Sequence, residues 1–248
     1  MQNYQAPKNL LQDRIIVVTG AGDGIGRAAA KTYAAHGATV ILIGKTIQKL
    51  EQVYDDIATA GHPQAAILPL DFATATPDDY DRAREMLSNE FDRLDGLLHN
   101  ASILGQRTPI ANYSPGIWQQ VMQVNLNAPF MLTQAFLPLL QNSADASIIF
   151  TSSSVGRKGR AYWGAYAVSK FATEGLMETL ADELEGVSNI RVNSLNPGGT
   201  RTAMRATAYP AEDPQTVRAP TEIMPLYLYL MGVDSKEVSG RRFDCQST

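Results

Sequence analysis

Cysteine is almost missing from this chain: Cys245 is the single one in 248 residues. That excludes an internal disulfide framework and fits a reducing compartment. Long apolar runs are missing too. No stretch approaches the ~20 residues that span a bilayer, and the opening MQNYQAPKNLLQDR has no apolar core of a secretory signal. Nor is there an excess of positive charge, and a net charge of −4 gives no electrostatic reason to expect nucleic acid or an anionic membrane as partner. Internal repeats, low-complexity tracts and linkers do not occur. A soluble, cytoplasmic protein is expected, and a hydrophobic fraction of 44% suffices for a substantial core.

The apolar residues that are present follow two alternating patterns. Short solid runs occupy 14–20, 39–44, 65–71, 94–101, 147–154 and 190–198, with a weaker seventh at 241–245. Consecutive apolar, β-branched positions suit strands covered on both faces. Helix-like stretches lie between them, at roughly 24–36, 46–60, 78–92, 114–140, 162–186 and 220–231. Thr76-Pro77-Asp78-Asp79 and Ser114-Pro115 read as an N-cap followed by proline in the first turn. Strand–helix alternation along the whole chain predicts one α/β domain, residues 1–248: a doubly wound, seven-stranded, mostly parallel sheet with helices on both faces. In such sheets ligands sit beyond the carboxyl ends of the strands. Residues that do chemistry should therefore follow the strands directly.

The first strand runs straight into TGAGDGIG, 19–26, which opens the first helix. Glycines allow a tight turn and close backbone approach there, and an open helix N-terminus favours a phosphate. The spacing Gly20-x-x-x-Gly24-x-Gly26, with Ile25 between the last two, departs from G-x-G-x-x-G but keeps its strand–turn–helix context. A Rossmann-type dinucleotide site is expected, with a merely close-packed turn as the alternative. A further absence bears on which dinucleotide. The acid that would hold a ribose 2′-hydroxyl is missing after the second strand, where Gly44 is followed by Lys45. Losing a carboxylate and gaining an ammonium both suit a 2′-phosphate, so NADP(H) is favoured and NAD(H) remains possible. Asp23, inside the glycine turn, points the other way.

The fifth strand ends in SSSVG and is followed by GAYAVSKFATEG, 164–175. In a helix, Tyr166 and Lys170 share a face one turn apart. A carbonyl accepting hydride develops negative charge on oxygen and needs a proton. A phenol with its ordinary pKa near ~10 is a poor base at neutral pH, and a neighbouring ammonium is expected to lower that value. The Ser153 hydroxyl can hold the same oxygen. Each residue also has an ordinary reading: a half-buried aromatic, a snorkelling lysine, a strand-end cap. Their combination with the glycine turn and the strand order points to an oxidoreductase.

With these elements in order, the chain resembles the short-chain dehydrogenase/reductase family. TGAGDGIG matches its TGxxxGxG turn, HNAS (99–102) its NNAG element, and VNLN (124–127) its active-site asparagine segment. Ser153 with YAVSK matches its catalytic core, and NPGGTRT (196–202) its PG motif ahead of a substrate lid, here around 203–219. Within the family, FTSSSVGR, SKFATEG and NPGGTRTAMRA are most similar to the YciK-type oxidoreductases of Gram-negative bacteria.

The resemblance implies roles. Tyr166 is the general acid/base, Lys170 tunes it and touches the nicotinamide ribose, Ser153 holds the carbonyl, and Asn125 positions a water in a proton relay. Gly20, Gly24 and Gly26 line the pyrophosphate, with Asp23 and Ile25 in the same turn. Asp71 and Phe72 flank adenine, Asn100 and Ala101 border the adenosine side, and Pro197, Gly198, Thr200 and Thr202 shape the nicotinamide pocket. Helices 114–140 and 162–186 often pair between subunits in the family, which implies a homodimer or homotetramer. The departures are Ser102 for a glycine, His99 for an asparagine, Gly199 for a branched residue, and no DGG near the C-terminal end. None removes a catalytic group, and no metal site is expected.

Substrate contacts are expected from 103–108, 154–163 and 203–219. Leu104, Trp163, Met204 and Tyr209 suggest an apolar or aromatic carbonyl, whereas Arg107, Arg157 and Arg205 could select an anion. The sequence does not choose. The expected function is hydride transfer between NADP(H) and a small-molecule carbonyl or alcohol. The rival is a cofactor-sensing or scaffold protein, which would need only the nucleotide site and not the Asn125, Ser153, Tyr166 and Lys170 set.

Overall fold

The computed structural model describes residues 4–246; the ends of the expected domain, 1–3 and 247–248, lie outside the described residues. The first half contains β1 (Ile15–Thr19), α1 (Gly24–Ala35), β2 (Thr39–Gly44), α2 (Ile47–Thr59), β3 (Ala66–Pro69), α3 (Pro77–Glu90) and β4 (Gly96–His99). The second contains α4 (Pro115–Met122), α5 (Ala128–Gln141), β5 (Ala146–Thr151), α6 (Gly164–Leu184), β6 (Ile190–Asn196), α7 (Ala203–Ala208), α8 (Met224–Met231) and β7 (Arg242–Asp244). The strands form one sheet in the order β3-β2-β1-β4-β5-β6-β7. Each neighbouring pair is parallel. The sheet is thus wholly parallel, where the sequence indicated mostly parallel, because the chain returns to it through helical crossovers. Strand order reverses between β1 and β4, the switch point of a doubly wound Rossmann-type fold.

Two cores explain the solid apolar runs. Ile16 and Val18 of β1 enter one core, shared with α1, α2 and α8. Val17, between them, enters the other, shared with α3, α5 and α6. β2 divides in the same way, Val40 and Leu42 against Ile41 and Ile43. Side chains alternate across a strand, so a sheet covered on both faces needs an apolar residue at every position. Each such side chain, fully buried, contributes about 1.5–3 kcal/mol relative to exposure.

The helix expected over 114–140 is divided. α4 passes into a π-helical turn, Gln123–Asn127, before α5 resumes the regular spiral, and Ala128 N–H bonds Gln123 O across that wider turn. Pro129 supplies the reason. It has no N–H to offer the carbonyl of Asn125, four residues earlier, and its ring presses against that carbonyl, so the coil widens there. At α3 the expected start is present, with Thr76 N–H donating to Asp79 Oδ2 at 2.8 Å and Pro77 in the first turn. The stretch 220–231 starts as a 3₁₀ turn, Pro220–Ile223, before α8.

Candidate active site

Where the strands end, one cavity of about 460 Å³ opens. The residues expected at a nucleotide and catalytic site come together on its wall: Gly20, Asp23, Gly24, Ile25, Lys45, Asp71, Phe72, Asn100, Ala101, Ser153, Tyr166, Lys170, Pro197, Gly198, Thr200 and Thr202. Two expected residues do not line it. Gly26 lies behind the turn: a Cβ on it would stand 2.1 Å from Gly20 O. Its lack of a side chain lets α1 pack against Gly20 at the end of β1 and Asn100 in the loop after β4. Asn125 is buried, and its amide is committed to the chain. Oδ1 accepts from Ile103 N–H at 2.8 Å, and Nδ2 donates to Ile103 O and Ser169 Oγ, each at 3.0 Å. Ser169 Oγ donates in turn to Tyr166 O at 2.8 Å. Asn125 therefore ties the π turn to the 103–108 loop and to the first turns of α6.

The β1 end of the cavity is organised by Thr19. Its hydroxyl accepts from Asn100 N–H at 2.9 Å and Ala101 N–H at 3.1 Å, fixing the loop after β4 against the glycine turn. Gly20 needs its glycine, with φ at 65° and a would-be Cβ 3.0 Å from Ala101 Cα. Asp23 caps α1, accepting from Gly24 N–H at 2.7 Å. Its second oxygen receives Lys49 Nζ at 2.5 Å, and that hydrogen bond is the main reason its carboxyl sits below the usual range. Lys49 lines the cavity beside Lys45 and was not singled out in the sequence. It stands in α2 one turn beyond Lys45, a spacing that could have drawn attention to it. Asp71 also lines the cavity while accepting from Ala73 N–H at 3.0 Å, so it is a strand-end cap as well as a wall residue.

The catalytic end differs from expectation in one respect. Lys170 is buried and donates to Thr151 O at 2.7 Å; its Nζ lies 5.6 Å from the centroid of the Tyr166 ring. The ammonium does not lower the phenol here. Burial pushes Tyr166 up to about 12, with the neighbouring Ser153 hydroxyl working against the rise. The lysine itself is lowered to about 8 by burial, and the Glu174 carboxylate works against that fall. With its pKa raised by burial, Tyr166 keeps its proton at neutral pH. Glu174, like Lys49, was not singled out in the sequence. It continues the Tyr166–Lys170 face by one more turn, accepts from Ser194 Oγ at 2.5 Å, and faces Arg157 at 3.6 Å and Arg242 at 3.5 Å. His99 takes no part: it is buried, stacked on Phe150 and bonded to Thr133 Oγ1 at 2.8 Å, and burial lowers its pKa to about 3.

The wall chemistry fits a dinucleotide. A glycine turn that a Cβ would fill opens onto the N-terminus of α1, and Lys45, Thr46 and Lys49 gather at the end of β2. Ser102 Oγ, buried and on the wall, has no hydrogen-bond partner among the described residues.

A family model described as short chain dehydrogenase matches residues 14–213. The oxidoreductase YciK of Escherichia coli (strain K12) is 56% identical over 98% of this chain and 96% of its own length. A short chain dehydrogenase of Shigella flexneri, solved in complex with NADP, superposes with a TM-score of 0.95 at 55% identity, covering 97% of this chain and 100% of that one. One of Escherichia coli CFT073, solved with NADPH, also gives 0.95, at 56% identity over 98% of this chain and 100% of that one.

Proposed function

The chain belongs to the short-chain dehydrogenase/reductase family of oxidoreductases, and from that premise we propose that it reduces a carbonyl compound with NADPH, Tyr166 supplying the proton. The observation that carries this reading is the buried Tyr166, which shares one cavity wall with Ser153, Lys170 and the glycine turn after β1. NADPH, when bound, supplies a hydride to the carbonyl carbon. Ser153 orients the carbonyl oxygen, and Tyr166 gives its O–H proton to that oxygen as charge develops, so the product is the alcohol. Lys170 fixes the end of β5 through Thr151 O and keeps positive charge behind the phenol when Tyr166 is reprotonated from solvent.

Gly20, Gly24 and Ile25 with the α1 N-terminus receive the pyrophosphate, Asp71 and Phe72 border the adenine, Asn100 and Ala101 the adenosine side, and Pro197, Gly198, Thr200 and Thr202 the nicotinamide. Lys45 and Lys49 receive the 2′-phosphate; pairing with Lys49 removes the objection posed by Asp23. The NADP and NADPH complexes of the two solved relatives support the same preference. Asn125 acts by holding the π turn against α6, and residues 203–219 form the lid of one catalytic domain. Phe130 on α5 and Val168 and Phe171 on α6 are exposed, which suits a homodimer or homotetramer built on those helices. Among the described residues no helix is long and apolar enough to cross a membrane, and buried, free Cys245 accords with a cytoplasmic location.

NADPH and NADH oxidation followed in parallel against a carbonyl panel tests the proposal. Carbonyl-dependent NADPH oxidation that yields the alcohol is the expected result. Tight NADPH binding with no oxidation across the panel points instead to a cofactor sensor, and faster use of NADH contradicts the roles of Lys45 and Lys49.

A further inference from the structure

Which carbonyl compound enters depends on what faces Tyr166. Leu104, Trp163 and Ala208 are buried in one cluster with Tyr166, and Met204 and Tyr209 pack against it. These five lie on the cavity wall and come from three separate segments of the chain: the loop after β4, the start of α6, and the α7 region. Of the arginines that could have made this an anion site, Arg157 and Arg205 are paired with carboxylates and Arg107 does not line the cavity.

Arg107 is stacked 4.5 Å from the Trp163 ring centroid and 5.1 Å from that of Tyr209, and it donates to Ala208 O. It braces the apolar wall from behind. Arg157 points away, donating to Asp244 Oδ2 at 2.6 Å and to Phe243 O at 2.9 Å. Arg205 does reach the cavity, but its fork is closed on Glu212 by two bonds of 2.6 Å, and its plane lies 3.8 Å from the Tyr209 ring centroid. The other cations on the wall are Lys45 and Lys49, at the β2 end, and Lys170, committed to Thr151 O. An anionic group carried close to the reacting carbonyl would lose its water against aromatic and aliphatic carbon and gain no partner. An uncharged ring or chain there gains the full benefit of burial.

Resting on the reductase reading above, we infer that the substrate is an uncharged carbonyl compound whose body beside the reacting carbon is apolar or aromatic, and that carboxylate- or phosphate-bearing carbonyls are rejected. Specificity of this kind comes as much from the cost imposed on the wrong ligand as from contacts with the right one. Leu104, Trp163, Met204 and Ala208 form the wall that receives the ring, and the Arg205–Glu212 pair keeps a cation from recruiting an anion.

Matched pairs that share an aryl ketone and differ in a free carboxylate separate this inference from the reductase reading. Methyl benzoylformate against benzoylformate, and acetophenone against 4-acetylbenzoate, are titrated calorimetrically into NADP-saturated enzyme, and NADPH oxidation is recorded in parallel. The neutral member of each pair is expected to bind at least about tenfold more tightly than its carboxylate. Glu212→Gln, which opens the Arg205 fork, is expected to narrow that gap by strengthening the carboxylate. Equal or tighter binding of the carboxylates, or binding of neither member, overturns the inference, as does a gap unmoved in Glu212→Gln. Preference for the neutral members without any NADPH oxidation leaves the substrate class standing and removes the reductase reading.

Discussion

Lys170 offers a test in which stability and activity move in opposite directions. Its side chain is buried, and burial lowers its pKa from the ordinary 10.5 to about 8. Each pH unit of that displacement corresponds to about 1.4 kcal/mol, so the charged lysine costs the fold about 3 kcal/mol at neutral pH. Lys170→Met keeps the volume of the stem and removes the charge. It also gives up the bond to Thr151 O, about 1 kcal/mol. The net gain is about 2 kcal/mol, or a melting temperature higher by about 4–8 °C for a chain of this size. The sign follows from the order of the two pKa values. Below pH 8 the lysine is charged in both states and the penalty is complete. Between the folded and unfolded values only the unfolded chain binds the proton, so the wild type gains stability as pH rises and the advantage of the variant shrinks. Urea melts of both proteins at pH 7 and pH 10 read this directly, with NADPH-dependent turnover as the second readout. The variant should be more stable at pH 7, less so at pH 10, and inactive. A variant destabilised at pH 7, or an advantage independent of pH, refutes the picture of a buried ammonium kept for function.

Other perturbations probe the remaining parts of the site. Glu174→Gln removes the carboxylate that props up the Lys170 ammonium. The lysine then loses its proton at lower pH, and the alkaline limb of kcat/KM should move down by about one pH unit; an unmoved limb refutes the coupling. Gly26→Ala sets a methyl 2.1 Å from Gly20 O, which is backbone and cannot turn aside. It should cost about 3 kcal/mol or more in urea titrations and abolish NADPH binding, and a near-neutral change contradicts the packing role given to this glycine. Lys45→Glu should weaken NADPH at least about tenfold by fluorescence titration with little change for NADH, and a parallel loss of both would show that Lys45 does not meet the 2′-phosphate.

The parallel sheet was legible because its strands must be apolar on consecutive positions, as Ile16, Val17 and Val18 are, and because helical runs separate them. The site was legible because strand ends deliver their residues to one edge. Three features were not legible, each for a physical reason. The break at Asn125 depends on Pro129 four residues later, whose effect on a helix is hidden by an otherwise continuous apolar pattern. The direction of the Tyr166 pKa depends on burial, which the spacing of Tyr166 and Lys170 does not report. The commitment of Arg107 and Arg157 depends on partners far away in the chain, Ala208 and Asp244, and that of Arg205 on the turn after α7 that brings Glu212 back to it. A sequence displays an arginine's charge but not what neutralises it.

Tyr166 carries the central claim, and Tyr166→Phe tests it most directly, because the substitution removes only the hydroxyl from a buried ring. NADPH binding and kcat/KM for reduction should be measured together at neutral pH on the same preparation. The expected result is unchanged NADPH affinity with kcat/KM lower by about 10²–10⁴. A variant within a few-fold of the wild type would contradict the assignment of Tyr166 as the proton donor.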